Sequence, residues 1–180
     1  GADVVASGRR IELVKDVAAE IQKRGRRTLS IAADVSEIAS LDRLRDECLE
    51  AFGKVDILLA VAGMTKKSPT LEMDEADWHR VIETNLTGTL RACQVFGRTM
   101  VAQNYGRIML TSSASGIYGN FGQSNYGAAK AAMVGLMNVL HHEGAKNNIR
   151  VNTLAPTAAT RMLEGLIPEQ VANLMQPELV

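Results

Sequence analysis

The sequence predicts a single α/β domain built on a doubly wound parallel sheet, and three observations predict it. Short apolar runs alternate with longer amphipathic stretches along the chain, which is the pattern of a parallel sheet wrapped by helices on both faces. The connections between them are short, so right-handed crossovers wind the sheet in both directions. Polar residues able to do chemistry gather just past the ends of the apolar runs, and open parallel sheets bind their ligands outside those carboxyl ends. A chain of 180 residues is of ordinary size for one domain with a substantial core.

The elements follow in order. Val4-Val5-Ala6 is a short strand, bounded by Ser7-Gly8. A helix follows with Leu13, Val17 and Ile21 on its apolar face and Gly25 as its stop. Thr28-Leu29-Ser30-Ile31 leads as a strand to Asp34. Ser36 is placed to cap a second helix carrying Leu41, Leu44, Cys48, Ala51 and Phe52, which ends at Gly53. Residues 55–61 are apolar without alternation apart from Asp56, as expected of a fully buried strand. Asp74 and Asp77 open a long helix through Trp78, Val81, Ile82, Leu86, Leu90 and Val95. The strand Ile108-Met109-Leu110-Thr111, a Gly-rich loop through Gly116, Gly119 and Gly122, a helix over 124–143 and a strand over 150–155 complete the order.

Composition narrows the function classes. Twenty basic and twenty acidic residues leave no net charge, so no long-range field draws the chain to nucleic acid or an anionic membrane. The basic cluster Lys23, Arg24, Arg26 and Arg27 lies where a helix ends, and cations suit the negative end of its dipole. Cys48 and Cys93 are far apart, form no CxxC, and have no histidine at ligand spacing. They are expected to be buried thiols in a reducing compartment, with no metal site. No segment has the length and apolarity of a membrane span or the pattern of a signal peptide. The expected location is the cytoplasm and the expected partner a small molecule.

The candidate chemistry lies at one strand end and on two helices. Ser113 follows the strand ending at Thr111. Tyr126 and Lys130 stand four apart near the start of the next helix, one turn apart on one face. Asn85 sits inside the long helix, where its side chain competes with the backbone. Transfer of hydride to a carbonyl needs a proton delivered to the oxygen, and the reverse reaction needs one removed. A phenol with an ordinary pKa of about 10 is a poor base at neutral pH. A lysine ammonium one turn away favours the phenolate. A serine hydroxyl at Ser113 can hold the substrate oxygen beside the phenol. Taken singly, such residues often mark only a surface pair, loop chemistry or a tolerated helical asparagine. Their order on these elements points to alcohol–carbonyl interconversion.

The runs Thr111-Ser112-Ser113-Ala114-Ser115-Gly116 and Gly122-Gln123-Ser124-Asn125-Tyr126-Gly127-Ala128-Ala129-Lys130, with Tyr126 thirteen residues after Ser113, resemble the catalytic region of the classical short-chain dehydrogenase/reductase family. The resemblance extends over essentially the whole chain and implies a Rossmann-like fold. It implies Tyr126 as general acid/base, Ser113 as ligand of the substrate oxygen, Lys130 as holder of the nicotinamide ribose, and Asn85 as the residue ordering a water behind Lys130. It also places Asp34 and Val35 near the adenine, and Ala62, Gly63, Pro156 and Thr160 along the rest of the cofactor.

Against the family pattern, the sequence starts after the first strand and its Gly-rich turn and stops before the last strand. Residues 1–180 are therefore expected to form a single incomplete Rossmann-like domain, a fragment of a longer protein. The absent strand would be central, between those at Val4 and Val55. Ala60-Val61-Ala62-Gly63 lacks the paired asparagines usual before Ala-Gly, and Thr157 follows Pro156 where glycine is common.

An acidic residue at the end of the strand beginning at Val4 would select NAD, whereas arginine welcomes a 2′-phosphate. Gly8 stands there, followed by Arg9 and Arg10, so NADP is expected over NAD. The catalytic stretch is most similar to (3R)-hydroxyacyl-CoA dehydrogenases and 3-oxoacyl-carrier-protein reductases, which implies a 3-oxoacyl thioester substrate. Thr65-Lys66-Lys67-Ser68-Pro69 looks more like sugar and polyol dehydrogenases, the alternative reading, and a non-catalytic cofactor-binding subunit is a third. Tyr118 is expected either to face the substrate or to pack within its loop. The resemblance further implies a homodimer or homotetramer through the helices over 78–100 and 124–143, with Ala92, Val95, Ala131, Val134 and Met137 at the interface.

Overall fold

The computed structural model describes residues 1–158 and 169–177. Among these, β1 (Val4–Gly8), α1 (Ile11–Lys23), β2 (Thr28–Ala32), α2 (Ile38–Phe52) and β3 (Ile57–Ala60) lead to α3 (Glu75–Ile82) and α4 (Gly88–Gln103). Then come β4 (Gly106–Thr111), α5 (Ala114–Tyr118), α6 (Ser124–Gly144), β5 (Ile149–Leu154) and a short α7 (Glu169–Ala172). Every strand pairing is parallel, with Val4 opposite Thr28, Ile57 opposite Arg107 and Gly106 opposite Ile149.

The sheet is in two parts, β1-β2 and β3-β4-β5, and it divides between β1 and β3, where the sequence reading placed an additional central strand. The helices α2 and α4 bridge the parts. Leu41, Leu44 and Cys48 of α2 and Ala92, Val95 and Phe96 of α4 pack in one cluster with Ile31. Val5 and Leu29 from one part and Val55 and Leu58 from the other lie against it. A second cluster joins Met100 of α4 and Met133 of α6 to Ile108, Leu110, Ile149 and Val151 of the larger part. Both cysteines are buried, and burial pushes their thiols up to about 11, so neither is a nucleophile at neutral pH.

Several expectations change. β3 is not buried on both faces: Leu59 is 56% exposed while Leu58 on the opposite face packs inward. In the same way α1 buries Val14 and Ala18, leaving Leu13 and Val17 exposed. Ser36 does not cap α2. Its backbone N–H and hydroxyl both donate to Asp34 Oδ1, at 2.9 and 2.7 Å, and Glu37 takes the cap position. Ala92 and Val95 belong to the core and not to an outer interface, because α4 turns that face onto α2.

The long helix is broken by a π turn over Glu83–Thr87. Asn85 supplies the cause. Its Nδ2 donates to the Val81 carbonyl at 2.9 Å, a carbonyl that a helical N–H would otherwise use, while the Thr89 hydroxyl donates to the Asn85 carbonyl at 2.8 Å.

The two faces of the sheet predict unequal costs of truncation. Leu110→Ala, at a fully buried position, is expected to lower stability by about 2–5 kcal/mol. Leu59→Ala is expected to change it by no more than about 0.5 kcal/mol. Urea unfolding of both variants measures the contrast, and equal losses would contradict the one-sided burial of β3.

Candidate active site

The site is assembled around the first turns of α6. Tyr126 and Lys130 lie on the face turned toward β4, and Lys130 is only 3% exposed. Its Nζ donates to the Thr111 carbonyl at 2.8 Å and stands 5.7 Å from the centroid of the Tyr126 ring. Loss of water draws its pKa down to about 8. No carboxylate pairs with it among the described residues.

The end of β4 is fastened to the same turn of helix. The Ser112 hydroxyl donates to the Lys130 carbonyl at 2.7 Å. Ser113 then caps α5, its Oγ accepting from the Ser115 N–H at 3.2 Å. That leaves the Ser113 hydroxyl hydrogen available to a substrate oxygen. Gly116 lets α5 lie directly on α6, since a Cβ there would stand 2.7 Å from the backbone of Lys130 and Ala131.

The segment after β3 closes the site from the other side. Met64 gives its N–H to Asn85 Oδ1 at 3.3 Å, and its carbonyl accepts from Asn85 Nδ2 at 2.7 Å. Gly63 comes so near that a Cβ would meet Asn85 Oδ1 at 2.7 Å and Lys130 Nζ at 3.6 Å. Asn125 Nδ2 donates to the Lys66 carbonyl at 3.2 Å, and the Ser68 N–H donates to the Gly122 carbonyl at 2.9 Å. Asn85, Gly63, Tyr126 and Lys130 are thereby brought together, with Ser113 at the adjoining strand end.

The remaining expected residues sit at other carboxyl ends. Arg9 and Arg10 follow β1, and Arg10 is the uncapped N-cap of α1. Arg9 Nε is 4.0 Å from Asp34 Oδ2 beyond β2. Hydrogen bonds from Ser36, with a smaller contribution from Arg9, hold the Asp34 carboxyl below the usual carboxylate range. Val35 rests against Gly88 of α4. Ala62 follows β3 and Pro156 follows β5, while Thr160 lies outside the described residues. Tyr118 is exposed.

Sequence reasoning missed Ser112, Asn125 and Gln123 as structural partners of the site. Their only signal was polar residues crowded beside Ser113 and Tyr126.

Residues 1–170 match the sequence profile of the short chain dehydrogenases. The chain belongs to the short-chain dehydrogenase family. It is 41% identical over 175 residues to the peroxisomal multifunctional enzyme type 2 of Drosophila melanogaster, covering 97% of this chain and 28% of that enzyme. It is 35% identical over 171 residues to a 3-oxoacyl-[acyl-carrier-protein] reductase of Synechocystis, covering 91% of this chain and 69% of the reductase. The fold superposes with a TM-score of 0.85 on NAD+-bound xylitol dehydrogenase at 29% identity, covering 87% of this chain and 60% of that one. The family binds NAD(P). Among the described residues no helix is long and apolar enough to cross a membrane, and no cluster of His, Cys, Asp and Glu could hold a metal ion.

The buried ammonium predicts a pH dependence. Lys130 titrates at about 8 when folded, against an ordinary value of 10.5. Between these values the unfolded chain holds a proton that the folded chain has released, so stability rises with pH across that window. Below about 8 both states are protonated and this contribution is flat. Melting temperature followed from neutral pH to about 10 is expected to rise relative to Lys130→Met, which lacks the group. Parallel curves for the two proteins would contradict the buried charge.

Proposed function

We propose that this short-chain dehydrogenase is an NADP-dependent oxidoreductase interconverting a 3-oxoacyl and a 3-hydroxyacyl thioester, with Tyr126 as general acid/base. The observation that carries the reading is the buried Lys130 ammonium, held on the Thr111 carbonyl beside the Tyr126 ring. The Lys130 side chain has three polar hydrogens and, among the described residues, one hydrogen-bond acceptor. It therefore has donors left for the hydroxyls of a ribose. The uncapped start of α1 with Arg9 and Arg10 suits an anionic group at the other end of a dinucleotide.

When bound, NADP supplies and accepts the hydride; the protein supplies the proton and the orientation. Tyr126 gives its phenolic proton to the carbonyl oxygen and becomes the phenolate, or as the phenolate takes a proton from the alcohol, and the Lys130 charge stabilises the phenolate in both directions. Ser113 donates its hydroxyl hydrogen to the same substrate oxygen and offsets the charge that develops there. Asn85 holds the 63–64 segment over Lys130, and its proposed role is to order a water behind that ammonium. Arg9, Arg10, Asp34, Val35, Ala62, Gly63, Pro156 and Thr160 would hold the cofactor.

The thioester is supported by the names of the relatives, among them a 3-oxoacyl-carrier-protein reductase. A polyol or sugar acid is the second reading, favoured by the likeness to xylitol dehydrogenase. That protein holds NAD+, so NAD is the alternative cofactor. The reading includes a homodimer or homotetramer through the outer faces of α4 and α6, where Leu90, Val101, Val134 and Val139 are exposed. It also keeps the cytoplasmic location expected from the sequence; recovery in a peroxisomal fraction, in keeping with the fly relative's name, would replace it.

Tyr126→Phe is expected to lower kcat by about 10²–10⁴-fold, with NADPH binding retained on fluorescence titration. Equal turnover by both proteins would sink the assignment of Tyr126 as general acid/base, and turnover by neither would leave the non-catalytic subunit as the better reading. Arg10→Glu is expected to weaken NADPH about tenfold, the equivalent of one charge-assisted hydrogen bond, and to leave NADH within about twofold. Equal loss for both nucleotides would point to a general defect of the α1 terminus.

A further inference from the structure

Gln123 immediately precedes α6, one turn ahead of Tyr126, and is only 7% exposed. A residue in this place ordinarily caps the helix with a short polar side chain, but Gln123 makes no such bond. The Tyr126 N–H is taken instead by Asn125 Oδ1 at 2.6 Å. Gln123 reaches across to the segment after β3, where its Nε2 donates to Thr65 Oγ1 at 3.3 Å. Its Oε1 is enclosed without a partner among the described residues. A buried polar atom left unpaired costs about 1–3 kcal/mol, so the contact serves something other than helix stability.

The pair has a property that does not depend on which way the carboxamide is turned. If the amide nitrogen donates to Thr65, the threonine hydroxyl hydrogen is free. If the carboxamide is reversed, Thr65 donates to its oxygen and the amide hydrogens are free. Either arrangement leaves donor hydrogens uncommitted beside the catalytic turn. Gln123 also lines a cavity of about 490 Å³ with Pro69, Ser115 and Phe121, a size that accommodates a substrate arm.

We infer that the Gln123–Thr65 pair is a specificity-determining site that recognises a second, acceptor-only oxygen of the substrate. This rests on the thioester reading, and it assigns the pair to the thioester carbonyl, while Ser113 and Tyr126 take the reacting oxygen at C3. Where Thr65 makes the contact, Gln123 acts as the positioning residue that aims its hydroxyl.

Binding to the catalytically inert Tyr126→Phe protein tests this without relying on turnover. The probes are a 3-hydroxyacyl thioester and the matching thioether, which lacks only the carbonyl oxygen, each titrated by calorimetry. The Tyr126→Phe protein is expected to prefer the thioester by about tenfold, the equivalent of one hydrogen bond to a buried group. Adding Gln123→Met or Thr65→Val is expected to abolish that preference while leaving thioether affinity unchanged. Thr65→Ser should retain it, and the combined Gln123→Met and Thr65→Val changes should be no worse than either alone. Equal binding of the two probes, failure of the thioester to bind, or an unchanged preference in both single variants would overturn the inference. Failure of the underlying reading looks different: the thioester preference is present, but protein with Tyr126 intact does not turn the thioester over.

Discussion

An ammonium stripped of water and given no carboxylate is costly to hold, and among the described residues Lys130 is held in that condition at the end of β4. A single carbonyl, that of Thr111, anchors it in place of a counter-ion. A carboxylate there would neutralise the field at Tyr126; a peptide oxygen leaves most of it directed outward. Burial strengthens that field, because little water is present to screen it.

The surrounding structure makes this placement possible. Ser112 ties the strand end to the Lys130 carbonyl, and Gly116 brings α5 onto the helix backbone at the same point. From the other side, Gly63 lies so near Asn85 that a Cβ there would force the Asn85 carboxamide to shift. Asn85 reaches that position by giving up regular helix, and the π turn of Glu83–Thr87 is the local consequence. Polar residues that look unfavourable one at a time form a connected network, in which Ser112, Asn85 and Asn125 each donate to a specific backbone carbonyl.

Much of this was legible in the sequence. The strand–helix alternation foretold the parallel pairing, and the spacing of Ser113, Tyr126 and Lys130 pointed to the segment just past β4 and the start of α6 as the candidate site. Less legible were features set by tertiary contact. Ser36 looked like a helix cap because its side chain is suited to one, yet its N–H and hydroxyl both donate to Asp34 Oδ1 and Glu37 takes the cap position. Leu13, Val17 and Leu59 looked like core because they are apolar, but burial depends on what lies opposite, and between β1 and β3 the sheet is divided. Ala92 and Val95 were expected at an interface because the family resemblance implied one on that helix, and a resemblance does not say which face of the helix meets α2. Gln123 carried no sequence signal beyond its polarity; only its burial and its contact with Thr65 distinguish it.

The central claim is that these residues deliver a proton to a carbonyl oxygen while its carbon is reduced. The most direct measurement supplies NADPH carrying deuterium at the transferable position, together with a 3-oxoacyl thioester, and determines the mass and labelled position of the product. The account predicts a 3-hydroxyacyl thioester with one deuterium on C3. A product without the label, or an unchanged 3-oxoacyl thioester, would contradict it.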